Sequence, residues 1–280
     1  MKKKGSTIIL ILIFVVGLTV FSYPTISDRW NALHSSRAIM SYTEAVSGMS
    51  EEEYDLLLSA AADYNRRLLD RTNPFVSSDE ELEEYYSLLN LGGNGIMGYI
   101  EIPFINVSLP VYHGTSESVL QVAAGHLDWT SLPVGGSSTH AVISGHRGLP
   151  SAELFTKLDR LIEGDRFMLY ILNEELTYEI DQIRIVLPEE MSDLQIAAGK
   201  DYCTLVTCTP YGINTHRMLV RGHRVETEKE HNVRVNSEAI QIEPILVAPV
   251  VAIPFLIALF VLMFFSDRKQ WSEKLENEES

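Results

Sequence analysis

Unbroken apolar runs mark both ends of this chain, TIILILIFVVGLTVFS over residues 7–22 and PILVAPVVAIPFLIALFVLMFF over residues 244–265. The second carries no charge and is long enough to cross a bilayer, which takes about 20 apolar residues. Its Pro249 and Pro254 are tolerable in such a helix. The first is near the lower limit and suits either a cleaved signal peptide or an uncleaved anchor. It runs into Phe21, Tyr23 and Pro24 without a small-x-small site, which favours the anchor. Residues 25–42 are mixed and carry no clear period. From Glu51 to Leu69 the spacing is helical, with Tyr54, Leu57, Leu58, Ala61 and Tyr64 along one side, and Ser50-Glu51-Glu52-Glu53 opens the run as a capping box. Asn73-Pro74 stops this helix. Ser78-Asp79 then begins a second acidic helix that runs to the turn Gly92-Gly93-Asn94-Gly95.

From Met97 the pattern changes to short β-rich segments. Strands are expected over Met97–Pro103, Ile105–Tyr112 and Thr139–His146, and a hairpin over Phe167–Leu172 and Leu176–Val186 across Asn173-Glu174. Short helices are expected over 117–124, around 151–162 and over 189–198. A last hairpin is read over 204–224: a β-rich run ends at Cys208, Pro210, Gly212 and Asn214 form the turn, and a second run starts near Thr215. Short strands at even spacing point to a closed or nearly closed β-barrel. The fold class is therefore mostly β, with short helices, a helical N-terminal region and a transmembrane helix at each end. The segments divide into a tail (1–6), an anchor (7–23), a helical region (24–96), a β-barrel domain (97–226), a linker (227–243), a second span (244–265) and a tail (266–280).

Charge sets the orientation. Lys2, Lys3 and Lys4 precede the first span and Arg268 and Lys269 follow the second, which puts both termini in the cytoplasm and the middle of the chain outside the cell membrane. The net charge of −16 argues against a nucleic-acid partner, which calls for a basic surface. Two cysteines, Cys203 and Cys208, do not make a disulfide framework. Five residues apart on one strand, their Cα atoms stand about 16 Å from each other, beyond bridging reach. Their spacing to His216 and His223 matches no zinc finger, so no metal is expected.

One thiol at the mouth of a hairpin is an arrangement for nucleophilic chemistry. Folding about the 210–214 turn brings Cys208 roughly opposite His216 or Arg217, whereas Arg221 lies about 13 Å further along. Arg217 is the cation within reach. A reactive thiolate also needs a base. Of eight histidines, His146 is preferred, because it ends an apolar strand just after Gly145. His113 and His126 are weaker rivals, His140 sits at the far end of its strand, and His216 alternates with Met218 and Val220 on the side facing a core.

Thr204-Leu205-Val206-Thr207-Cys208 is similar to the TLxTC motif of the sortases. Ser144-Gly145-His146 resembles the strand end that carries their histidine, and His216-Arg217-Met218-Leu219-Val220 the segment that carries their arginine. The resemblance covers about 97–225 and is nearest to class C sortases, the pilin polymerases of Gram-positive bacteria, which also carry a C-terminal span. It implies a sortase-type barrel and a transpeptidase in which Cys208 is the nucleophile, His146 the acid–base partner and Arg217 the oxyanion stabiliser. The implied substrates are pilin subunits, one bearing an LPxTG-like signal cut between threonine and glycine and the next an acceptor lysine; no cofactor is needed. It further implies a lid over the site. Asn73-Pro74-Phe75 matches two positions of the family's Asp-Pro-aromatic tip, asparagine replacing the carboxylate that faces the arginine. A wall-anchoring sortase, a plain cysteine protease and a non-enzymatic membrane adaptor are the rival readings.

Overall fold

Alternation of buried and exposed positions makes the segments after residue 95 into strands, and their pairing closes on itself. In the computed structural model, residues 2–227 are described, with side chains from Leu12 onward. Residues 26–229 form one compact unit, and the chain up to Thr25 falls in another. Three helices come first: α1 (Lys2–Ser47), α2 (Glu51–Leu68) and α3 (Asp79–Ser87). The strands are β1 (Ile96–Ile102), β2 (Val107–His113), β3 (Ala124–His126), β4 (Thr139–Ser144), β5 (Arg166–Ile171), β6 (Glu174–Val186), β7 (Asp201–Thr209) and β8 (His216–Arg224), with the single-turn helix α4 (Glu117–Leu120) between β2 and β3. They form a closed barrel in the order β1-β2-β3-β4-β7-β8-β6-β5, and β5 pairs back onto β1. The β2–β3 and β4–β7 pairs are parallel and the remaining pairs antiparallel.

The strand interior is the main core. Ala141 and Ile143 of β4, Cys203 and Leu205 of β7, and Met218 and Val220 of β8 point into it. Because successive strand residues face opposite ways, Val142, Val206 and Leu219 point outward. There they form a second apolar cluster with Val186 and Leu194, against which Leu127 and Trp129 pack. These three strands are therefore apolar on both faces.

Both capping boxes are present, Ser50 with Glu53 and Ser78 with Glu81, and the β5–β6 and β7–β8 hairpins pair as expected. Other elements differ from their sequence expectation. The mixed segment 25–42 is helical throughout, because tertiary contacts hold it. Tyr42 is buried, its hydroxyl donating to Met97 O and accepting from Leu172 N, while Asp28 and Asn31 bind the 151–153 backbone. The helix expected around 151–162 is a set of turns with one 3-10 turn at Leu158–Arg160. Its N–H groups are engaged elsewhere, Glu153 N by Asp28 and Phe155 N by His146 O, so an α-helical ladder cannot form. The helix expected over 189–198 shrinks to Ser192–Leu194, since Gln195 O is bound to His140 Nδ1 and Leu194 plugs the outer cluster. α3 stops at Ser87, short of the glycine turn, where Leu88 turns extended and its carbonyl meets His113 Nε2. The expected 117–124 helix is only α4, and Ala124 already begins β3.

Among the described residues no helix is long and apolar enough to cross a membrane. The expected spanning helix at the N-terminal end thus finds no support in the fold. The run 7–22 lies within α1 and begins ahead of the first described side chain, and the run 244–265 lies outside the described residues.

Three histidines are absorbed by this framework. His126 is fully buried, with Nε2 at 2.8 Å from Ser131 O and Nδ1 at 3.0 Å from the Tyr85 hydroxyl. His140 bridges Gln195 O and Thr204 Oγ1, and His113 bridges Gly95 O and Leu88 O. Burial pushes His126 down to about 3 and His140 down to about 4. The unfolded chain takes up these protons near pH 6.5 and the folded chain does not. Stability is therefore full above that pH and falls as pH drops toward 4, with a limiting slope of about 1.4 kcal/mol per pH unit for each histidine. Urea unfolding followed from pH 7.5 to 4.5 should show this loss, and His126→Gln should remove that histidine's share of the slope, with His113 and His140 supplying the rest; a flat profile would refute the assignment.

Candidate active site

Cys208 lies on β7 one residue before its end, directly paired with Arg217 of β8. Partners on neighbouring antiparallel strands share a face, with Cα atoms about 4.5–5.5 Å apart. Counting from outward-facing Val206 and Leu219, both Cys208 and Arg217 face outward. On the other side of β7 runs β4, parallel to it, with Ser144 level with Val206. The chain continues beyond the ladder: Gly145 N donates to Val206 O at 3.0 Å and Thr207 Oγ1 donates to Gly145 O at 2.7 Å. His146 follows Gly145 just beyond the end of β4. Cys208 and Arg217 are thus brought together as a strand pair, and His146 comes from beyond the end of the strand on the other edge of β7.

Glycine is required at 145. A Cβ there would stand 2.6 Å from the ring of Phe155, which is fully buried. Phe155 N in turn donates to His146 O at 3.1 Å, so the ring and the backbone bond together fix the turn that presents the histidine. Arg147, next in the chain, is nearly buried. It donates to Thr209 Oγ1 at 3.2 Å and pairs with Asp159, tying this turn to the end of β7.

Cys208 is half-buried, whereas Cys203 is sealed in the barrel interior, where burial pushes its thiol well up. Only Cys208 is available to a reagent. The Arg217 guanidinium donates from Nη1 to the carbonyls of Asn214 and His216, which hold it at the hairpin end of β8. Arg221 lies level with Thr204 instead and forms a two-pronged pair with Asp181, so it belongs to the barrel wall. Among the described residues no cluster of metal-binding side chains occurs.

The outward face of these strands has features that spacing did not reveal. It carries the buried apolar layer of Val142, Val206 and Leu219, and Trp129 packs against it. An aromatic residue inside the turn-rich stretch after His126 was the one sequence signal for that wall. The Asn73-Pro74-Phe75 segment meets the same wall. The Phe75 ring lies edge-on to Trp129 at 5.4 Å, and Arg71 donates to Trp129 O and Glu81. Asn73 is not turned to the arginine: its Oδ1 accepts from Phe75 N at 3.2 Å. A neutral amide two residues before an N–H closes such a turn readily, and no hydrogen bond joins Asn73 to Arg217 among the described residues.

The sortase domain family matches residues 100–225. Sortase D of Bacillus subtilis is 32% identical over 131 residues, covering 46% of this chain and 63% of that relative's own length. Two solved structures are similar over much longer shares of their chains. Sortase C1 of Streptococcus agalactiae is 53% identical with a TM-score of 0.67, covering 69% of this chain and all of that one. Sortase C of Clostridium perfringens, solved with the C-terminal cell wall sorting motif, is 44% identical with a TM-score of 0.61, covering 69% and 100%.

Edge-to-face aromatic pairs contribute about 0.5–1.5 kcal/mol. Trp129→Ala should therefore loosen the Phe75 segment and speed modification of Cys208 by a thiol reagent about twofold to tenfold. Stopped-flow labelling measures this, with buried Cys203 giving no competing signal; an unchanged rate would disconnect that segment from the thiol.

Proposed function

This chain belongs to the sortase family, and from that premise we propose that it is a membrane-anchored cysteine transpeptidase that builds covalent pili. The reading rests on one observation above all: β7 lies between β4 and β8, with Cys208 paired directly with Arg217 and His146 just beyond the end of β4. In the proposed reaction the Cys208 sulfur attacks the carbonyl carbon between threonine and glycine of an LPxTG-like signal. The C–N bond breaks, His146 gives its proton to the departing glycine amine, and a thioester remains. A lysine amine of the next pilin subunit then loses a proton to His146 and displaces the sulfur, leaving an isopeptide bond. Arg217 faces the oxygen that becomes negative in both steps, where a fixed cation stabilises the transition state more than the ground state. The reaction requires that water be kept from the thioester until the amine arrives.

Support for an LPxTG-like substrate comes from the Clostridium perfringens relative, which was solved with a cell wall sorting motif. Support for pilin polymerisation comes from likeness to sortases of the C type. The Asn73-Pro74-Phe75 segment is the proposed lid: it rests on the groove wall at Trp129, and its asparagine replaces an ion pair with a turn of its own. Anchoring is proposed from the two apolar runs, the first of which continues in α1 as exposed Leu12, Ile13, Val16 and Val20. Both termini are then cytoplasmic and the barrel extracellular.

Incubation of the full-length protein in detergent with a sorting-signal peptide and a lysine-bearing pilin, read by mass spectrometry, tests the reading. The expected product joins the peptide's threonine carbonyl to the lysine amine. Transfer only to a wall-type peptide amine would favour a wall-anchoring sortase, and hydrolysis alone a protease. Cys208→Ala should abolish the product, and Arg217→Ala should lower kcat on the order of 10²–10³-fold with little change in KM.

A further inference from the structure

His146 carries a second contact, with a residue that neither the motifs nor the family resemblance singles out. Its Nε2 lies 3.6 Å from Oε2 of Glu117, the first residue of α4. That nitrogen is closed off from solvent and has no hydrogen-bond partner, although the side chain as a whole remains 27% exposed. Gln121, one turn further along, donates to Oε1 of Glu117, so the amide steadies one oxygen and the ring meets the other. The Gln121 hydrogen bond, with the charge of His146 contributing less, holds Glu117 below the usual carboxylate range.

We infer that Glu117 is a positioning residue: it holds Nε2 of His146 and stabilises the imidazolium, so that the ring carries the proton that the departing amine needs. At 3.6 Å the contact lies beyond hydrogen-bond length and is electrostatic, growing when the ring is protonated. Of the other charged groups on neighbouring elements, Arg217 of β8 would oppose a charged ring, and Arg147 is already paired with Asp159. Glu117 is the anion that the structure sets against the ring. Glu117 remains 72% exposed, so solvent screens the contact and its effect is modest.

The role, though not the contact, rests on the transpeptidase reading, and the test separates the two. Full-length protein in detergent micelles, labelled with ¹³C at histidine Cε1, is titrated by NMR as Glu117 and as Glu117→Gln, with His146→Gln identifying the resonance. Loss of the charge should move the midpoint of the His146 resonance to lower pH, and molar salt should shrink the difference. An unmoved resonance overturns the contact, whatever the protein's activity. The pH profile of kcat/KM for peptide cleavage is then compared. A limb that moves down with the NMR value, while Glu117→Asp moves it part of the way back, supports the positioning role. A limb that stays in place while the resonance moves overturns that role. Absence of cleavage in the unaltered protein, with the resonance shift intact, would count against the proposed function and leave the electrostatic contact standing.

Discussion

Everything at the groove depends on the parallel pairing of β4 with β7. Antiparallel neighbours need only a short turn, but parallel neighbours need a long crossover. Here the crossover is the β5–β6 hairpin with the turns on either side of it, and it also closes the barrel through the β5–β1 pair. With β8 folded back on the far side of β7, the central strand acquires a neighbour on each edge. A histidine from beyond the end of one neighbour and an arginine from the start of the other then flank a single thiol. The three are separated by 62 and 9 positions in the chain and by one strand spacing in the sheet.

The same three strands do two packing jobs. Their inward residues complete the barrel core, while their outward residues would leave an apolar face exposed to water. That face is covered in part by Leu127, Trp129, Val186 and Leu194, and beside it the Asn73-Pro74-Phe75 segment sits on Trp129. The N-terminal helices are joined to the barrel by buried polar contacts as well as by packing. Asn65 exchanges hydrogen bonds with the backbone of Leu132, and Tyr85 joins His126 and Gly114. Buried donors and acceptors satisfied in this way fix one docking of helices on barrel, since any other arrangement leaves them unpaired.

The site's electrostatics show a division of labour among like residues. Of the two thiols, the inward one is held as an inert thiol by burial and the outward one stands beside a cation. Of the two arginines on one strand face, Arg221 is engaged with Asp181 and lies over the ring of Tyr202, whereas Arg217 is held by the neutral carbonyls of Asn214 and His216. Strand parity and end position, with residue type held constant, separate structure from chemistry.

Much of this was legible in the chain itself. The capping boxes at Ser50 and Ser78, the β5–β6 and β7–β8 hairpins and the choice of Arg217 over Arg221 follow from local rules of spacing, turn chemistry and strand rise, which act over a few residues. The motifs around Cys208, His146 and Arg217 carried the family resemblance. Where local rules failed, a distant partner had claimed the backbone: Asp28 and His146 took the N–H groups of the expected 151–162 helix, and His113 took the carbonyl that ended α3 early. The strand β3, the Trp129 wall and the Glu117 contact were invisible for the same reason. A hydrogen bond or ring contact between residues far apart in sequence leaves no period to read. Sequence by itself determined the elements with their own stop signals and the identity of the reactive groups. Only tertiary structure decided which strands lie side by side, and hence which face of each groups its side chains into a site, because register across a parallel pair is set by the whole barrel.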